Sequence, residues 1–271
     1  MTYPIAMTIA GSDSGGGAGI QADLKTFSAL GVYGASVITA LTAQNTCKVS
    51  AVYEVTPEFI TEQLHTVCGD LDVSAVKIGM LHRAEIIEAV AEALLSSTIG
   101  HIVLDPVMIA KSGDDLLQDN AIDALKTHLI PLSSIITPNI PEAARLLKRK
   151  TDYIESNVEQ AADRLLSLGC ASVLLKGGHR TADSNSTDIF YDGNSLVPMS
   201  SPRVDTNNTH GTGCTLSAAI CAHLARKEGL KDSVLLAKRY IDAAILHADQ
   251  LQVGKGHGPV HHFHNFRNNQ S

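Results

Sequence analysis

Two glycines beside a cysteine, in the run His210-Gly-Thr-Gly-Cys214, are typical of an anion-binding loop. Glycines let the backbone turn tightly and approach a ligand closely. The apolar stretch that follows predicts a helix, whose first turn offers N–H groups and partial positive charge to phosphate oxygens. The same field favours a thiolate, so we expect Cys214 to ionise readily; inert packing is the alternative for a cysteine at a helix start. The run therefore predicts a phosphoryl-transfer site, in which residues 211–214 form an anion loop.

Further polar residues follow predicted strands at the point where each strand ends. They are residues 11–19 after strand 4–10, Asp105 after strand 102–104, residues 137–142 after strand 135–137 and Lys176 after strand 173–175. In open parallel sheets, ligands bind beyond the carboxyl ends of the strands. We therefore expect these four strand ends to converge on one site.

Three charged residues at these strand ends suit a nucleotide and its metal ion. Asp105 and Glu142 supply the oxygen ligands that Mg²⁺ prefers, and Mg²⁺ bridges nucleotide phosphates. Lys176, which two glycines follow, can neutralise phosphate charge. A turn cap is an equal alternative for Asp105, and a charge in the first turn of a helix is the commoner role for a residue such as Glu142. Asp188, inside a predicted hairpin strand, is interpreted as a capping or surface carboxylate.

The glycine-rich run at residues 11–19 does not match the known nucleotide-binding patterns. Ile20 stands where the dinucleotide-binding pattern needs a glycine, and the Walker pattern GxxxxGK[ST] is absent from the sequence. A tight turn without a ligand is one interpretation. We favour a substrate-facing loop, because Gln21 and Asp23 follow within about one helical turn.

Short β-rich runs alternate with helical patterns, which predicts a mostly parallel sheet covered by helices on both faces. Further strands are predicted at 35–42, 49–55, 75–78, 186–191 and 196–199, and the main helices at 18–30, 57–68, 84–95, 120–128, 158–168, 213–227 and 234–251. No linker divides the pattern, so residues 1–271 are expected to form one domain. The His-rich end, about 257–271, is expected to be loosely ordered, and metal binding there is the less favoured alternative.

Composition narrows the classes of partner. Of 271 residues, 44% are hydrophobic and 18% charged, which supports a large core. A formal charge of -7 without a basic face argues against nucleic acid. Five scattered cysteines without CxxC pairs suit a reducing compartment, and neither a signal peptide nor an apolar run of membrane-spanning length is apparent. We therefore expect a cytoplasmic protein with a small-molecule substrate.

Several stretches together resemble the ribokinase-like superfamily, and specifically the hydroxymethylpyrimidine/phosphomethylpyrimidine kinases of thiamine biosynthesis. The resemblance covers about residues 4–266. It is carried by the segments 9–23, 39–45, 77–80, 104–108, 137–139, 175–179 and 205–219. The Gly-Thr-Gly-Cys form of the anion loop separates this branch from sugar kinases, which carry aspartate at the last position.

The resemblance implies a three-layer α/β/α sandwich that uses ATP and Mg²⁺ and commonly forms a homodimer. The acceptor is the hydroxymethyl group of 4-amino-5-hydroxymethyl-2-methylpyrimidine, and then the resulting monophosphate. Gln44 matches the family position that recognises the pyrimidine ring. An amide suits this role, because it can both donate and accept hydrogen bonds. Met80 and Val107 match its apolar walls, and Lys238 lies in a run near the nucleotide.

The resulting assignment has four groups of residues. They are Lys176, Gly211, Thr212, Gly213 and Cys214 for catalysis; Gly11, Asp23, Gln44, Met80, Val107 and His210 for substrate; Asp105, Asn139, Lys176 and Lys238 for the nucleotide; and Asp105 and Glu142 for the metal. Two other functions stay open, a pyridoxal or pyridoxine kinase and a non-catalytic pyrimidine-binding protein. The segment Thr46–Val55 is expected to be either a mobile cover or an ordinary hairpin.

Overall fold

In the computed structural model, which describes residues 3–108, 119–178 and 185–266, one nine-stranded sheet runs through the molecule. Its strands are β1 Ile5–Asp13, β2 Tyr33–Gln44, β3 Val49–Glu54, β4 Ala75–Ile78, β5 His101–Leu104, β6 Ile135–Ile136, β7 Val173–Leu175, β8 Asn185–Tyr191 and β9 Leu196–Pro202. Their order is β3-β2-β1-β4-β5-β6-β7-β8-β9. The six strands from β2 to β7 in this order pair in parallel, whereas β3, β8 and β9 are antiparallel to their neighbours. The predicted mostly parallel sheet is confirmed.

Helices cover both faces of this sheet. They are α1 Gly19–Ala29, α2 Pro57–Asp70, α3 Ala84–Leu95, α4 Asp119–Ala124, α5 Ile140–Leu147, α6 Thr151–Ser156, α7 Val158–Leu166, α8 Thr212–Ala225 and α9 Leu230–Leu246. Helices α1, α8 and α9 contribute to one apolar core, and the helices from α2 to α7 contribute to the other. In none of these helices is there an apolar stretch long enough to cross a membrane, over the residues that the structure describes.

The central strands contribute side chains to both apolar cores, because successive residues point to opposite faces of the sheet. On β5, Val103 packs with the α8 side, whereas Ile102 and Leu104 pack with the α3 side. Successive side chains of a strand point to opposite faces of the sheet, so a continuous apolar run is buried on both faces. This is the pattern of a three-layer sandwich, and it leaves the carboxyl ends of the strands as the open edge.

The local sequence explains where two helices near that edge begin. Helix α5 starts with a capping box, in which the Asn139 side chain accepts from the Glu142 amide and the Glu142 carboxylate accepts from the Asn139 amide. Helix α8 is buried throughout residues 215–225, so its position is fixed by packing on every side. Helix α9 begins and ends earlier than predicted, because Gly229 precedes its first turn and a separate 3₁₀ turn, Ala248–Gln250, follows it.

The segment 257–266 differs from the expectation of a loose tail. Val260, His261, His262 and His264 are buried, and the Tyr240 hydroxyl donates to the His262 carbonyl at 2.6 Å. Burial lowers the pKa of His262 to about 3, so its ring is neutral. The expectation is therefore wrong for this segment, because histidine rings here serve as packing groups, and residues 267–271 lie outside the described part. Within the described residues, no three His, Cys, Asp or Glu side chains come together to hold a metal.

Candidate active site

A cavity of about 990 Å³ opens at the carboxyl edge of the sheet. All four strand ends that the sequence singles out contribute to it, together with the start of α8. The predicted site residues that line it are Gly11, Gln44, Met80, Asp105, Val107, Asn139, Glu142, Lys176, His210, Gly211, Thr212, Gly213, Cys214 and Lys238. A cavity of this size accommodates two small substrates side by side.

The anion loop lies against two different parts of this cavity, because Gly211 packs on Gly17 whereas Gly213 lies near Lys176 and Asp105. Gly211 has a left-handed backbone (φ 79°), and a Cβ at this position would overlap the carbonyl oxygen of Gly17. Only glycine fits both constraints, so the close approach of the two loops depends on it. Helix α8 begins at Thr212, with its first N–H groups at the cavity wall. This is the geometry that binds phosphate.

Three charged groups meet on one side of the anion loop, which we call the donor half. The Lys176 Nζ lies 2.8 Å from Asp105 Oδ1 and 3.9 Å from Glu142 Oε2. Thr137 also donates to Asp105 Oδ1, at 3.0 Å. Asp105 is 2% exposed and Glu142 4% exposed, so water does little to screen these charges.

The two carboxylates of the donor half differ in protonation. Burial raises the pKa of Glu142 to about 7, and the neighbouring Asp105 carboxylate adds to the rise against the attraction of Lys176. Burial also acts to raise the pKa of Asp105, but Lys176 and Lys77 hold it below its ordinary value. Asp105 is thus the permanent anion, and Glu142 is the group whose charge depends on what binds beside it.

Glu142 and Asn139 have structural contacts as well as a place in the cavity. The capping box engages the Asn139 amide oxygen and one Glu142 oxygen, which satisfies the first amides of α5. The sequence-based alternative for Glu142, a charge in the first turn of a helix, is therefore present in the structure. It coexists with the position of Glu142 on the cavity wall.

A second ammonium group completes the donor half. Lys238 Nζ lies 2.9 Å from Asp242 Oδ1 and 3.2 Å from Asp188 Oδ2. Asp188 also accepts from the Gly177 amide at 2.8 Å, so it links Lys238 to the loop that follows Lys176. The interpretation of Asp188 as a surface carboxylate is wrong, because this side chain is 5% exposed and faces the cavity. Ser186, two residues earlier on the same face of β8, also lines the cavity.

The opposite side of the anion loop, the acceptor half, is built from hydrogen bonds. Gln44 Nε2 lies 3.4 Å from His210 Nε2, which lies 2.9 Å from Asp13 Oδ2. Met80 and Val107 supply apolar wall. Gly11 lies against this wall, since a Cβ there would be 2.8 Å from the Met80 methyl group.

Asp13 is a residue of the acceptor half that sequence reasoning missed. Its carboxylate accepts from the backbone amides of Gly15, Gly17 and Ala18 at 2.8, 3.1 and 2.8 Å. Burial acts to raise its pKa, but the hydrogen bonds from His210 and the Ala18 amide hold that pKa below its ordinary value. An Asp side chain commonly accepts from the backbone amide two residues further on in a turn, and Asp13 stands two residues before the glycine run, so that signal was available.

Asp23 was expected to contact the substrate, but it does not line the cavity. It is fully buried, and its carboxylate accepts from Lys77 Nζ at 2.8 and 3.0 Å and from the Thr8 hydroxyl at 2.6 Å. The assignment of Asp23 to substrate is corrected, because the inner face of α1 packs against β1 and β4. Lys77 lines the cavity instead.

Cys214 also differs from the sequence expectation. It lies half-buried at the start of α8, and burial raises the pKa of its thiol although the Lys77 ammonium opposes the rise. The predicted easier ionisation is therefore wrong for the protein without ligands. The loss of water around the sulfur outweighs the field of the helix and of Lys77.

The chain matches a known protein family along most of its length. The family model described as phosphomethylpyrimidine kinase matches residues 13–261. A hydroxymethylpyrimidine/phosphomethylpyrimidine kinase of Rhizobium meliloti is 54% identical over 261 residues, covering 96% of this chain and 97% of that protein. A thiamine biosynthesis bifunctional protein of Geobacter sulfurreducens is 51% identical over 256 residues, which are 94% of this chain and 51% of that protein.

A solved structure of a related enzyme has the same fold as this chain. The ADP complex of Bacillus subtilis pyridoxal kinase matches with a TM-score of 0.89 and 36% identity, over 96% of this chain and 98% of that chain. The expectations of a ribokinase-like fold and of a phosphotransferase are confirmed. This chain belongs to the phosphomethylpyrimidine kinase family.

Proposed function

We propose that this protein transfers the γ-phosphoryl group of ATP to the hydroxymethyl group of 4-amino-5-hydroxymethyl-2-methylpyrimidine, and then to the resulting monophosphate, in thiamine biosynthesis. The observation that carries the proposal is the anion loop between two unlike halves of one cavity. Charged groups lie on one side of the loop, and a hydrogen-bonding amide with apolar walls lies on the other. The reaction needs this order of groups, because a phosphoryl group must pass from donor to acceptor through an anion site.

The acceptor half suits an aminopyrimidine. The Gln44 amide can donate to a ring nitrogen and accept from an amino group, and Met80 and Val107 can contact the ring. His210, held by Asp13, lies 3.4 Å from the Gln44 amide and limits the positions that this side chain can take. Gly11 leaves room at this wall for the Met80 methyl group.

The donor half suits a nucleotide triphosphate. Lys176 and Lys238 are ammonium groups held by carboxylates, so their charge is in place before the nucleotide arrives. Asn139 lies beside Lys176 at the start of α5 and also lines the cavity. The amides of residues 211–214 receive the transferring group, which spreads its charge over its oxygens during transfer.

Mg²⁺ is the cofactor that we assign to the donor half. The donor set fits it, because Asp105 and Glu142 are buried carboxylates that share the ammonium of Lys176 and face one cavity. The pKa of Glu142 at about 7 marks a place where one more positive charge is favourable. When bound there, Mg²⁺ neutralises phosphate oxygens of the nucleotide.

Cys214 is the group that we assign to take the hydroxyl proton in the first transfer. It lies in the anion loop, where the acceptor oxygen and the phosphoryl group meet. The proton acceptor is the thiolate, so the Cys214 thiol must first release its own proton to water; because burial raises its pKa in the free protein, this ionisation limits the fraction of the protein that is ready for transfer. In the second transfer the acceptor is a phosphate that is already ionised, and it needs little base.

We further propose one cytoplasmic domain that works as a homodimer. The five cysteines are free, which suits a reducing compartment. Strand β3 is an edge strand of which Ser50 to Glu54 are all exposed, and Leu41, Val52 and Tyr53 present apolar surface on that hairpin. An exposed apolar edge strand is a surface that a second copy can cover.

The proposal is tested by measuring ATP consumption with the free pyrimidine alcohol, with and without Mg²⁺. We expect two equivalents of ADP for each pyrimidine, and no turnover when Mg²⁺ is removed by chelation. Binding of the pyrimidine without any ADP release would contradict the proposal and favour a non-catalytic binding protein. Turnover that persists without divalent cations would contradict the metal assignment alone.

A second candidate activity is phosphorylation of pyridoxal, which the likeness to the Bacillus subtilis pyridoxal kinase favours. The hydroxymethyl group and a planar nitrogen ring are common to both acceptors. The experiment is a comparison of kcat/KM for the pyrimidine alcohol and for pyridoxal under the same conditions. A higher value for pyridoxal would make vitamin B6 the principal substrate.

A further inference from the structure

A segment near the carboxyl end links two separate parts of the acceptor half. We call residues 254–260 the C-terminal strap. The strap runs past the turn between β2 and β3 and then along the chain just before α8. Gln44 lies two residues before Thr46 of that turn, and His210 lies in the chain before α8.

The first half of the strap holds the turn through Thr46. The Thr46 hydroxyl accepts from the amides of Lys255 and Gly256, at 3.2 and 3.1 Å. The Thr46 carbonyl accepts from the amide of His257 at 3.0 Å. Three consecutive amides of the strap are thus directed at one residue of the turn.

Gly256 makes this approach possible. A Cβ at residue 256 would overlap the carbonyl oxygen of Thr46 and would lie 3.0 Å from the Cys47 sulfur. Any larger residue must therefore move the strap away from the turn. The tight contact depends on this glycine.

The second half of the strap holds His210. The His210 amide donates to the Gly258 carbonyl at 3.0 Å, and the Val260 amide donates to the His210 carbonyl at 3.3 Å. Both partners in the strap are buried. The backbone of His210 is therefore fixed on both sides by the same segment that holds Thr46.

We propose that Thr46 and the C-terminal strap are positioning elements that set the separation of Gln44 and His210, and through it the affinity for the acceptor ring. Gln44 and His210 approach to 3.4 Å across 166 residues of sequence. The sheet fixes one end of this contact and α8 fixes the other, and the strap joins the two by backbone hydrogen bonds. The inference rests on the proposed role of Gln44 as the contact to the acceptor ring.

The test is Thr46→Val, which keeps the branched shape and removes the hydroxyl acceptor. We expect KM for the pyrimidine alcohol to rise about fivefold, as the loss of a hydrogen-bonded position gives. KM for ATP and the unfolding temperature are expected to stay near the parental values. Thr46→Ser, which keeps the hydroxyl, is expected to restore the parental KM. Thr127→Val, which removes an exposed hydroxyl in the helical segment Leu125–Leu129 that donates to the Asp123 carbonyl, outside the cavity lining, is the control for the loss of a threonine hydroxyl.

A role confined to stability predicts a different result. It would lower the unfolding temperature or raise both KM values together, and either result with Thr46→Val would overturn the inference. Gly256→Ala displaces the strap from the other side and is expected to reproduce the selective rise in KM. This second variant keeps the inference testable if Thr46→Val does not fold.

A double-mutant cycle separates the inference from the function on which it rests. If Thr46 acts through Gln44, Thr46→Val adds nothing to the KM of Gln44→Ala, whereas independent effects would multiply. A parental KM in Gln44→Ala would contradict the proposed ring contact. A raised KM in Gln44→Ala together with a parental KM in Thr46→Val would contradict the role of the strap alone.

Discussion

The two halves of the cavity hold their polar groups in different ways. In the acceptor half, Asp13 accepts hydrogen bonds from His210 and from backbone amides of the loop after β1, and the Gln44 amide lies 3.4 Å from the same His210 nitrogen. In the donor half, Lys176 and Lys238 each lie between two carboxylates. The acceptor half is therefore organised by the direction of its hydrogen bonds, and the donor half by its charged groups.

This difference matches what each half has to bind. A neutral aromatic ring is recognised by shape and by hydrogen-bond direction, and a few polar groups suffice. A triphosphate carries several negative charges, and ammonium groups held in a site with little water neutralise them without reorganisation. Four carboxylates accompany the two lysines, so the donor half retains negative charge that a divalent cation can compensate.

Lys176→Met is the strongest test of the donor half. It removes the ammonium that Asp105 and Glu142 share, and leaves two buried carboxylates where phosphate must enter. We expect kcat for both transfers to fall by about 10³-fold, the upper range for removal of one electrostatic contact. Initial rates of ADP release measure this. Lys231→Met, an exposed change of the same kind on α9, should leave kcat unaltered; an equal loss there would point to general instability.

Glu142→Gln sharpens the assignment of charge within the donor half. In the folded protein Glu142 has a pKa of about 7, above the ordinary 4.5. The protonated side chain therefore contributes to folding stability in full below pH 4.5, and this contribution is lost as the pH rises through 7. Gln stays neutral, so the variant should gain stability relative to the parent by about 3 kcal/mol between pH 4.5 and 7. Urea unfolding at several pH values measures the difference. Glu62→Gln, exposed on α2, should show no such trend.

Cys214→Ala tests the boundary between the two halves. We expect the transfer to the alcohol to slow by about 10²-fold, the lower range for loss of a general base, because the hydroxyl proton loses its acceptor. The transfer to the monophosphate should slow much less, since that acceptor is already ionised. Separate assays with each acceptor measure the two steps. Equal losses in both steps would remove Cys214 from the role of base and leave it a packing residue of the anion loop.

The sequence predicted the parts of this site that follow from topology. Parallel strands end at the same edge of a sheet, so Asp105, Lys176 and the anion loop were expected to meet, and they do. A glycine run before a helix predicted the start of α8 to within one residue of Thr212. These inferences depend only on local pattern and on the direction of the strands.

The remaining features depend on contacts between distant parts of the chain. The buried pair of Asp23 and Lys77 joins residues 54 positions apart, and the contact of Thr46 with Gly256 spans 210 positions. No spacing rule in a single sequence connects such residues. The raised pKa of Cys214 could not be foreseen for a related reason, because it follows from the burial that the assembled layers impose.

Asp13→Asn acts on the acceptor half alone. An amide keeps the shape but loses the charge and one of the two oxygens that accept hydrogen bonds from His210 and from the amides of Gly15 and Ala18. We expect KM for the pyrimidine alcohol to rise about tenfold, because a charged hydrogen bond contributes more than a neutral one. KM for ATP should stay near the parental value, since the donor half does not use this loop. Steady-state kinetics with each substrate varied in turn measure both constants. A matching rise in KM for ATP would show that the two halves are one electrostatic unit, and the contrast between direction and charge would fail.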